Sequence, residues 1–314
     1  MPRVSVARLF EDNRDRLRLE WIAGRDGGAR ELDSASLKGS REGLIGHLNF
    51  IHPNWIQVLA RPEIEHLNAL DPVARQKTLH QLAGSQLACL VVTGGEAAPQ
   101  HLQALADSMH TALLTSPLDS VELMWMLRPY LARALADSAT MHGVLLDVLG
   151  MGVMITGDSG VGKSELALEL VSRGSGLVAD DVIELYHIAP ETLEGRCPAL
   201  LRDFLEVRGL GVLNIRTIFG EAALRPRKNL KLIVHLERPS GSETQYVDRL
   251  PLKPGVQEVM GVEISKVTIP VAAGRNLAVL VETAVRNNVL QLRGIDSTRE
   301  FVARQSSELK SNAT

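Results

Sequence analysis

Gly157-Asp158-Ser159-Gly160-Val161-Gly162-Lys163-Ser164 decides the fold. Its glycines and terminal Lys-Ser satisfy the G-x-x-x-x-G-K-[ST] spacing of a phosphate-binding loop, and its flanks are those the motif needs. The apolar run 153–156 reads as a short strand leading in, and Glu165-Leu166-Ala167-Leu168-Glu169-Leu170-Val171 reads as a helix leading out, stopped at Gly174. Glycines let successive N–H groups turn toward one anion, and the helix beginning near Lys163 adds its positive end. A glycine-rich turn that merely caps a helix is the plain alternative. On the phosphate reading, Lys163 reaches the β- and γ-phosphates and the Ser164 hydroxyl serves Mg²⁺.

Beyond Gly174, the apolar run 176–179 ends in Asp180-Asp181. In a βαβ unit this strand runs parallel to the one before the loop, so its C-terminal end brings two carboxylates to the phosphates. One such carboxylate can hold Mg²⁺ or take a proton from an attacking hydroxyl. A surface turn is the ordinary reading of Asp-Asp without the loop.

Working outward, 143–149 and 153–156 read as two strands joined by Gly150-Met151-Gly152 in a tight hairpin. Before them, Val121, Met124, Leu127, Leu131 and Leu135 recur at helical spacing over 120–136, with Asp119 or Ser120 as the N-cap. Earlier still, strand candidates at 17–22, 44–46, 52–59, 87–92 and 112–115 alternate with helix candidates at 72–82 and 99–109, as in a small α/β domain. The expected division is an N-terminal α/β domain over 1–135, a P-loop domain with C-terminal helices over 136–304, and a loosely ordered polar tail over 305–314.

The 314 residues carry a net charge of −3 with acids and bases interleaved, so no basic footprint points to nucleic acid. No stretch is long and apolar enough to span a bilayer, and the N-terminus lacks the apolar core of a secretion signal. Cys89 and Cys197 form neither a disulfide framework nor a metal motif, and read as reduced thiols of a cytoplasmic protein.

Two further segments extend the pattern. Met141-His142-Gly143 lies upstream of the loop, and Glu206-Val207-Arg208-Gly209-Leu210-Gly211-Val212-Leu213-Asn214-Ile215 packs a carboxylate, a guanidinium and glycines into ten residues downstream. Together with the loop and the Asp pair, these segments resemble the bifunctional HPr kinase/phosphorylase family, whose signature is the Glu-Val-Arg-Gly-Leu-Gly run, and the resemblance runs through almost the whole chain. It implies an α/β protein in which an N-terminal α/β domain precedes a P-loop kinase domain with a central mixed β-sheet. It also implies phosphorylation of a serine of the phosphocarrier protein HPr with Mg²⁺ and ATP or pyrophosphate, together with phosphorolysis of phosphoserine-HPr by inorganic phosphate to give pyrophosphate.

Carried over by position, the resemblance makes Asp181 the base of phosphorylation and the acid of the reverse reaction, Lys163 the phosphate contact, and Ser164 and Glu206 the Mg²⁺ ligands. It makes His142 an active-site histidine that bonds a phosphate or orients the carboxylate, and Arg249 a catalytic arginine. Pro270-Val271-Ala272-Ala273-Gly274-Arg275 corresponds to the segment linked to dephosphorylation, with Ala272-Ala273 where many members have Arg-Pro. One positive charge is therefore absent there, and Arg275 is the remaining cation. The resemblance further implies a homohexamer with C-terminal helices shaping the cleft for HPr. Leu277, Leu280, Val281 and Ala284 fall on one face of such a helix, as they would on a core helix. A small-molecule P-loop kinase and a non-catalytic ATP-dependent switch would use the same cradle.

Overall fold

The computed structural model describes residues 2–39, 43–49, 53–83, 87–238, 255–272 and 274–311, and the chain divides into two compact units, Met1–Asp137 and Ser138–Thr314. The first unit runs β1 (Arg3–Ser5), α1 (Val6–Leu17), β2 (Glu20–Ala23), β3 (Glu31–Asp33), α2 (Ser34–Gly39), β4 (Gly43–His47), β5 (Asn54–Leu59), α3 (Arg61–Ala69), α4 (Pro72–Ala83), β6 (Cys89–Val92), α5 (Gln100–Ser108), β7 (Ala112–Thr115) and α6 (Ser120–Ala134). Its main sheet has the order β2-β7-β6-β5-β4, parallel from β4 to β7 with β2 antiparallel at the edge.

Alternate side chains of these strands go to opposite faces. Ile56, Val58, Val91 and Leu114 pack with Leu9, Leu123 and Leu127 on one side, while Leu59, Leu90 and Leu113 pack with Ile64, Leu67 and Leu102 on the other. The N-terminus corrects the sequence reading. A strand was expected over 17–22, yet Leu17 closes α1, whose buried Val6, Leu9, Phe10, Asn13 and Leu17 form one stripe among exposed charges, and the strand begins at Glu20. Asp119 is the N-cap of α6, accepting from the Glu122 N–H at 2.9 Å.

The second unit runs β8 (Asp137–His142), β9 (Val144–Val148), β10 (Met151–Gly157), α7 (Lys163–Ser172), β11 (Gly176–Ala179), β12 (Val182–Ala189), β13 (Thr192–Arg196), β14 (Phe204–Val207), β15 (Gly211–Asn214), α8 (Ile215–Phe219), β16 (Lys228–Glu237), β17 (Gly255–Val259), β18 (Val262–Pro270), α9 (Leu277–Leu292) and α10 (Ser297–Ser311). Its nine-stranded mixed sheet follows β11-β9-β10-β16-β13-β12-β8, with β18 parallel to β16 and β17 antiparallel to β18. The β9–β10 hairpin turns on Leu149 and Gly150, both at positive φ (52° and 86°), so Met151 and Gly152 belong to β10 and not to the turn. β11 does point the same way as β10, but β9 lies between them, antiparallel to both.

Period-two alternation again builds two cores. Leu146, Val153, Ile155, Leu232 and Val234 meet Leu166, Leu170, Val281 and Val285 of α7 and α9, while Leu145, Met154 and Ile233 meet Ile183, Leu185 and Ile264. The buried residues of α9 are Ala278, Val281, Val285 and Asn288, so of the stripe read off the sequence Val281 is buried, Leu277 is partly buried against the same core and Leu280 is 37% exposed. The polar residues after Arg304 continue α10 as far as Ser311, through the stretch expected to be a tail. Among the described residues, no helix is long and apolar enough to cross a membrane.

Candidate active site

β10, β16 and β18 run parallel, with Gly157 opposite Leu236 and Glu237 opposite Pro270, so their C-terminal ends form one edge. The phosphate-binding loop leaves that edge from β10. Gly157, Gly160 and Gly162 all have positive φ. A Cβ on Gly157 would lie 2.4 Å from the Leu236 carbonyl oxygen, so the loop approaches β16 as closely as only glycine permits. Gly162 caps α7, whose first residue is Lys163. The Lys163 ammonium donates to the carbonyls of Gly157 (2.9 Å) and Asp158 (3.0 Å). Behind the loop, Thr156 Oγ1 and His235 Nδ1 are 3.0 Å apart.

The two aspartates after β11 part company at a bend between β11 and β12, where Asp181 takes up a left-handed backbone conformation. Asp180 is 6% exposed. Its carboxylate accepts from the Ser164 hydroxyl at 3.2 Å and from the Glu206 main-chain N–H at 2.9 Å. Burial raises its pKa, and the bonds from Glu206 and Ser164 oppose that rise without cancelling it. Asp181 sits at φ +63°, a conformation uncommon for a non-glycine residue, with a side chain 78% exposed. Its carbonyl accepts from the Gly143 N–H at 3.1 Å and lies 3.3 Å from His142 Nδ1, while His142 Nδ1 is 3.9 Å from its Oδ1. The strained backbone thus fixes an exposed carboxylate beside an exposed imidazole.

The 206–215 segment is a hairpin of β14 and β15, with Val207 opposite Gly211 and a turn carrying Arg208, Gly209 and Leu210. Val207 and Leu205 are buried under it, Glu206 points outward, and Asn214 caps α8. The Glu206 main chain and the Ser164 hydroxyl share one Asp180 carboxylate, so Ser164 and Glu206 meet across the width of a single side chain.

The oxygen donors at this point, the Ser164 hydroxyl and the Asp180 carboxylate that accepts from it, are of the hard type that Mg²⁺ takes alongside substrate phosphates. Among the described residues, no group of three or more His, Cys, Asp or Glu side chains could by itself hold a metal ion.

Beyond the edge, Val271 N–H donates to the Glu237 carbonyl at 2.8 Å, which holds Val271 at the same end of the sheet as the loop, and Arg275 N–H donates to the Ala272 carbonyl at 3.3 Å. Arg249 and Ala273 lie outside the described residues. Two features escaped the sequence reading. Asp180 holds Ser164 and β14 together, and Arg238 donates to the Gly160 carbonyl. The Asp-Asp pair signalled the first; nothing local signalled the second, since its partner lies 78 residues away.

A glycine-rich loop at the carboxyl ends of parallel strands, with a lysine, a helix N-terminus and the Asp180 carboxylate against it, defines a P-loop phosphoryl-transfer enzyme. Family models agree: "HPr Serine kinase N terminus" matches residues 4–131 and "HPr Serine kinase C-terminal domain" matches residues 133–305. The chain is 59% identical over 312 residues to the HPr kinase/phosphorylase of Nitrosomonas europaea, covering 99% of this chain and 97% of that one. It is 54% identical over 310 residues to that of Chromobacterium violaceum, with the same coverage of both chains. A solved structure, the Hpr(Ser) kinase/phosphatase from Coxiella burnetii, covers 52% of this chain and 98% of its own at 36% identity, with a TM-score of 0.46. The chain belongs to the HPr kinase/phosphorylase family.

Proposed function

We propose that this protein transfers phosphate from ATP or pyrophosphate to a serine of the phosphocarrier HPr, and removes it again by phosphorolysis to pyrophosphate. The observation that carries this reading is the division of labour between the two aspartates, one buried against the loop serine and one presented to solvent beside His142.

In the forward direction, Asp181 accepts the proton of the serine hydroxyl as its oxygen bonds to the terminal phosphorus and the bond to the leaving phosphate oxygen breaks. In reverse, an oxygen of inorganic phosphate attacks the phosphoserine phosphorus, and the departing serine oxygen takes the proton from Asp181. His142 orients the Asp181 carboxylate from its place next to the carbonyl. Lys163 moves from the loop carbonyls onto the phosphates. Mg²⁺, held by Ser164 and Glu206 when bound, neutralises phosphate charge. Arg249 and the segment Pro270 to Arg275 add cations on the phosphate side. The cytoplasm and a homohexamer are parts of the same proposal, and the hexamer is checked by light scattering at six times the chain mass.

Incubation with Mg-ATP and HPr, followed by mass spectrometry, tests the reading. Phosphoserine on HPr is the expected result, lost in Asp181→Asn by about 10²–10⁴-fold while nucleotide binding persists. Label on a metabolite with none on HPr would replace the proposal with a small-molecule kinase. Binding without transfer would replace it with a switch.

A further inference from the structure

The carboxyl ends of β10, β16 and β18 share one edge, so the residue that directly follows each strand has an opportunity to deliver charge to the cradle. β18 leads into Val271 and Ala272, which bring none. β16 leads directly into Arg238, the residue after Glu237, and its guanidinium donates to the carbonyl of Gly160 at the tip of the loop.

A second guanidinium arrives from an unrelated element. Both Nη atoms of Arg208, in the β14–β15 turn, lie 3.5 Å from the position a Gly160 Cβ would take, and Arg238 Nη2 lies 3.5 Å from the same point. The two groups are thus no further apart than twice that distance. Neither has a carboxylate partner among the described residues, whereas Arg173, Arg196, Arg216 and Arg225 of the same unit are all ion-paired.

Like charges held together repel, and an anion placed between them turns that repulsion into attraction. Guanidinium groups are suited to the task because each presents two parallel N–H donors to one phosphate. Gly160 has no side chain to occupy the space and keeps φ at +71°, so a phosphate can approach the loop tip from the side on which both arginines stand.

We propose that Arg238 and Arg208 form a two-guanidinium clamp for the terminal phosphate of the donor and, in the reverse direction, for the attacking inorganic phosphate. Arg238 waits on the Gly160 carbonyl and turns from it onto the incoming group. The clamp rests on the phosphoryl-transfer reading of the cradle. It matters most for pyrophosphate, which offers charge alone, and less for ATP, whose nucleoside makes contacts of its own.

Calorimetric titration of Mg-pyrophosphate into the purified full chain tests the clamp without HPr. Arg238→Gln should weaken binding by about tenfold to a hundredfold, as for the loss of a charge-assisted hydrogen-bonding group. Arg238→Lys should recover part of that loss, since it restores charge without the fork. Mg-ATP affinity should fall less than pyrophosphate affinity in the same variant. Arg227→Gln, an exposed cation paired with Glu194 at 3.6 Å, should bind as wild type. Binding by Arg238→Gln within about twofold of wild type overturns the clamp. So does an equal loss in Arg227→Gln, which would reduce the effect to net charge. Lys163→Ala separates the two levels: if it binds normally, the cradle itself falls and the clamp with it, whereas loss there with none in Arg238→Gln removes the clamp alone.

Discussion

Replacing Asp180 by asparagine should make the protein more stable and less active. The carboxylate accepts from Ser164 Oγ at 3.2 Å and from Glu206 N at 2.9 Å. An asparagine can present its oxygen to Glu206 N and its amide to Ser164 Oγ, which then accepts, so two charge-assisted bonds become two neutral ones at a cost of about 1 kcal/mol each. Against that stands the removal of an ionised group from a nearly dry site, where the effective penalty is several kcal/mol.

The raised pKa of Asp180 tells which side wins: folding disfavours its ionised form. A carboxyl with a folded pKa above its unfolded value contributes stability that is full below the unfolded pKa and is lost as pH rises through the folded one. Above that range Asp180→Asn, which does not titrate, should therefore exceed wild type by on the order of 1 kcal/mol, or about 2–4 °C in melting temperature for a unit of this size. Turnover should fall by about 10–100-fold, the usual effect of losing a group that orients metal ligands. Melting curves of both proteins from about pH 4 to about pH 8 decide the matter, the gap widening in favour of the variant as pH rises. A variant that melts below wild type at neutral pH, with the deficit growing as pH rises, would mean that the ionised carboxylate stabilises the fold, and would refute the reasoning.

Gly157→Ala combines φ of +141° with a Cβ 2.4 Å from the Leu236 carbonyl and should cost about 2–4 kcal/mol in urea unfolding. Gly162→Ala, at φ +104° with nothing within 4 Å, should cost only the backbone strain of about 1–2 kcal/mol. Leu170→Ala, at a position fully buried between α7 and the sheet, should lower unfolding free energy by about 3–5 kcal/mol and leave pyrophosphate affinity in the cold unchanged. Ala272→Arg should lower the KM for inorganic phosphate in phosphorolysis by about tenfold, and an unchanged KM would detach this segment from the phosphate.

The parts legible in the sequence are those written locally. The loop, its helix and the hairpin before it depend on glycines and apolar runs within a few residues of one another, and each is present, the hairpin with its turn at Leu149-Gly150 and not at 150–152. α1 was hidden because its buried stripe is diluted by six charged residues among twelve, leaving Leu17 to be read with the strand that follows. β9 lying between β10 and β11 could not be read locally, since an antiparallel hairpin and a βαβ unit are both consistent with the same runs. Asp180 and Asp181 are identical letters, and only their positions at the end of β11 make one a buried brace and the other an exposed carboxylate. Arg238 and Gly160 meet through β16, a contact with no trace in either neighbourhood.

Lys163 resting on the carbonyls of Gly157 and Asp158 gives the cradle a threshold. A ligand does not simply add itself to a waiting cation; it must outbid two oxygens already in place. A monovalent ion such as chloride, with one charge to offer, should displace them less readily than a polyphosphate, which can engage the lysine and the loop amides together. These two contacts should thereby favour anions large enough to span the loop over the salt that surrounds it.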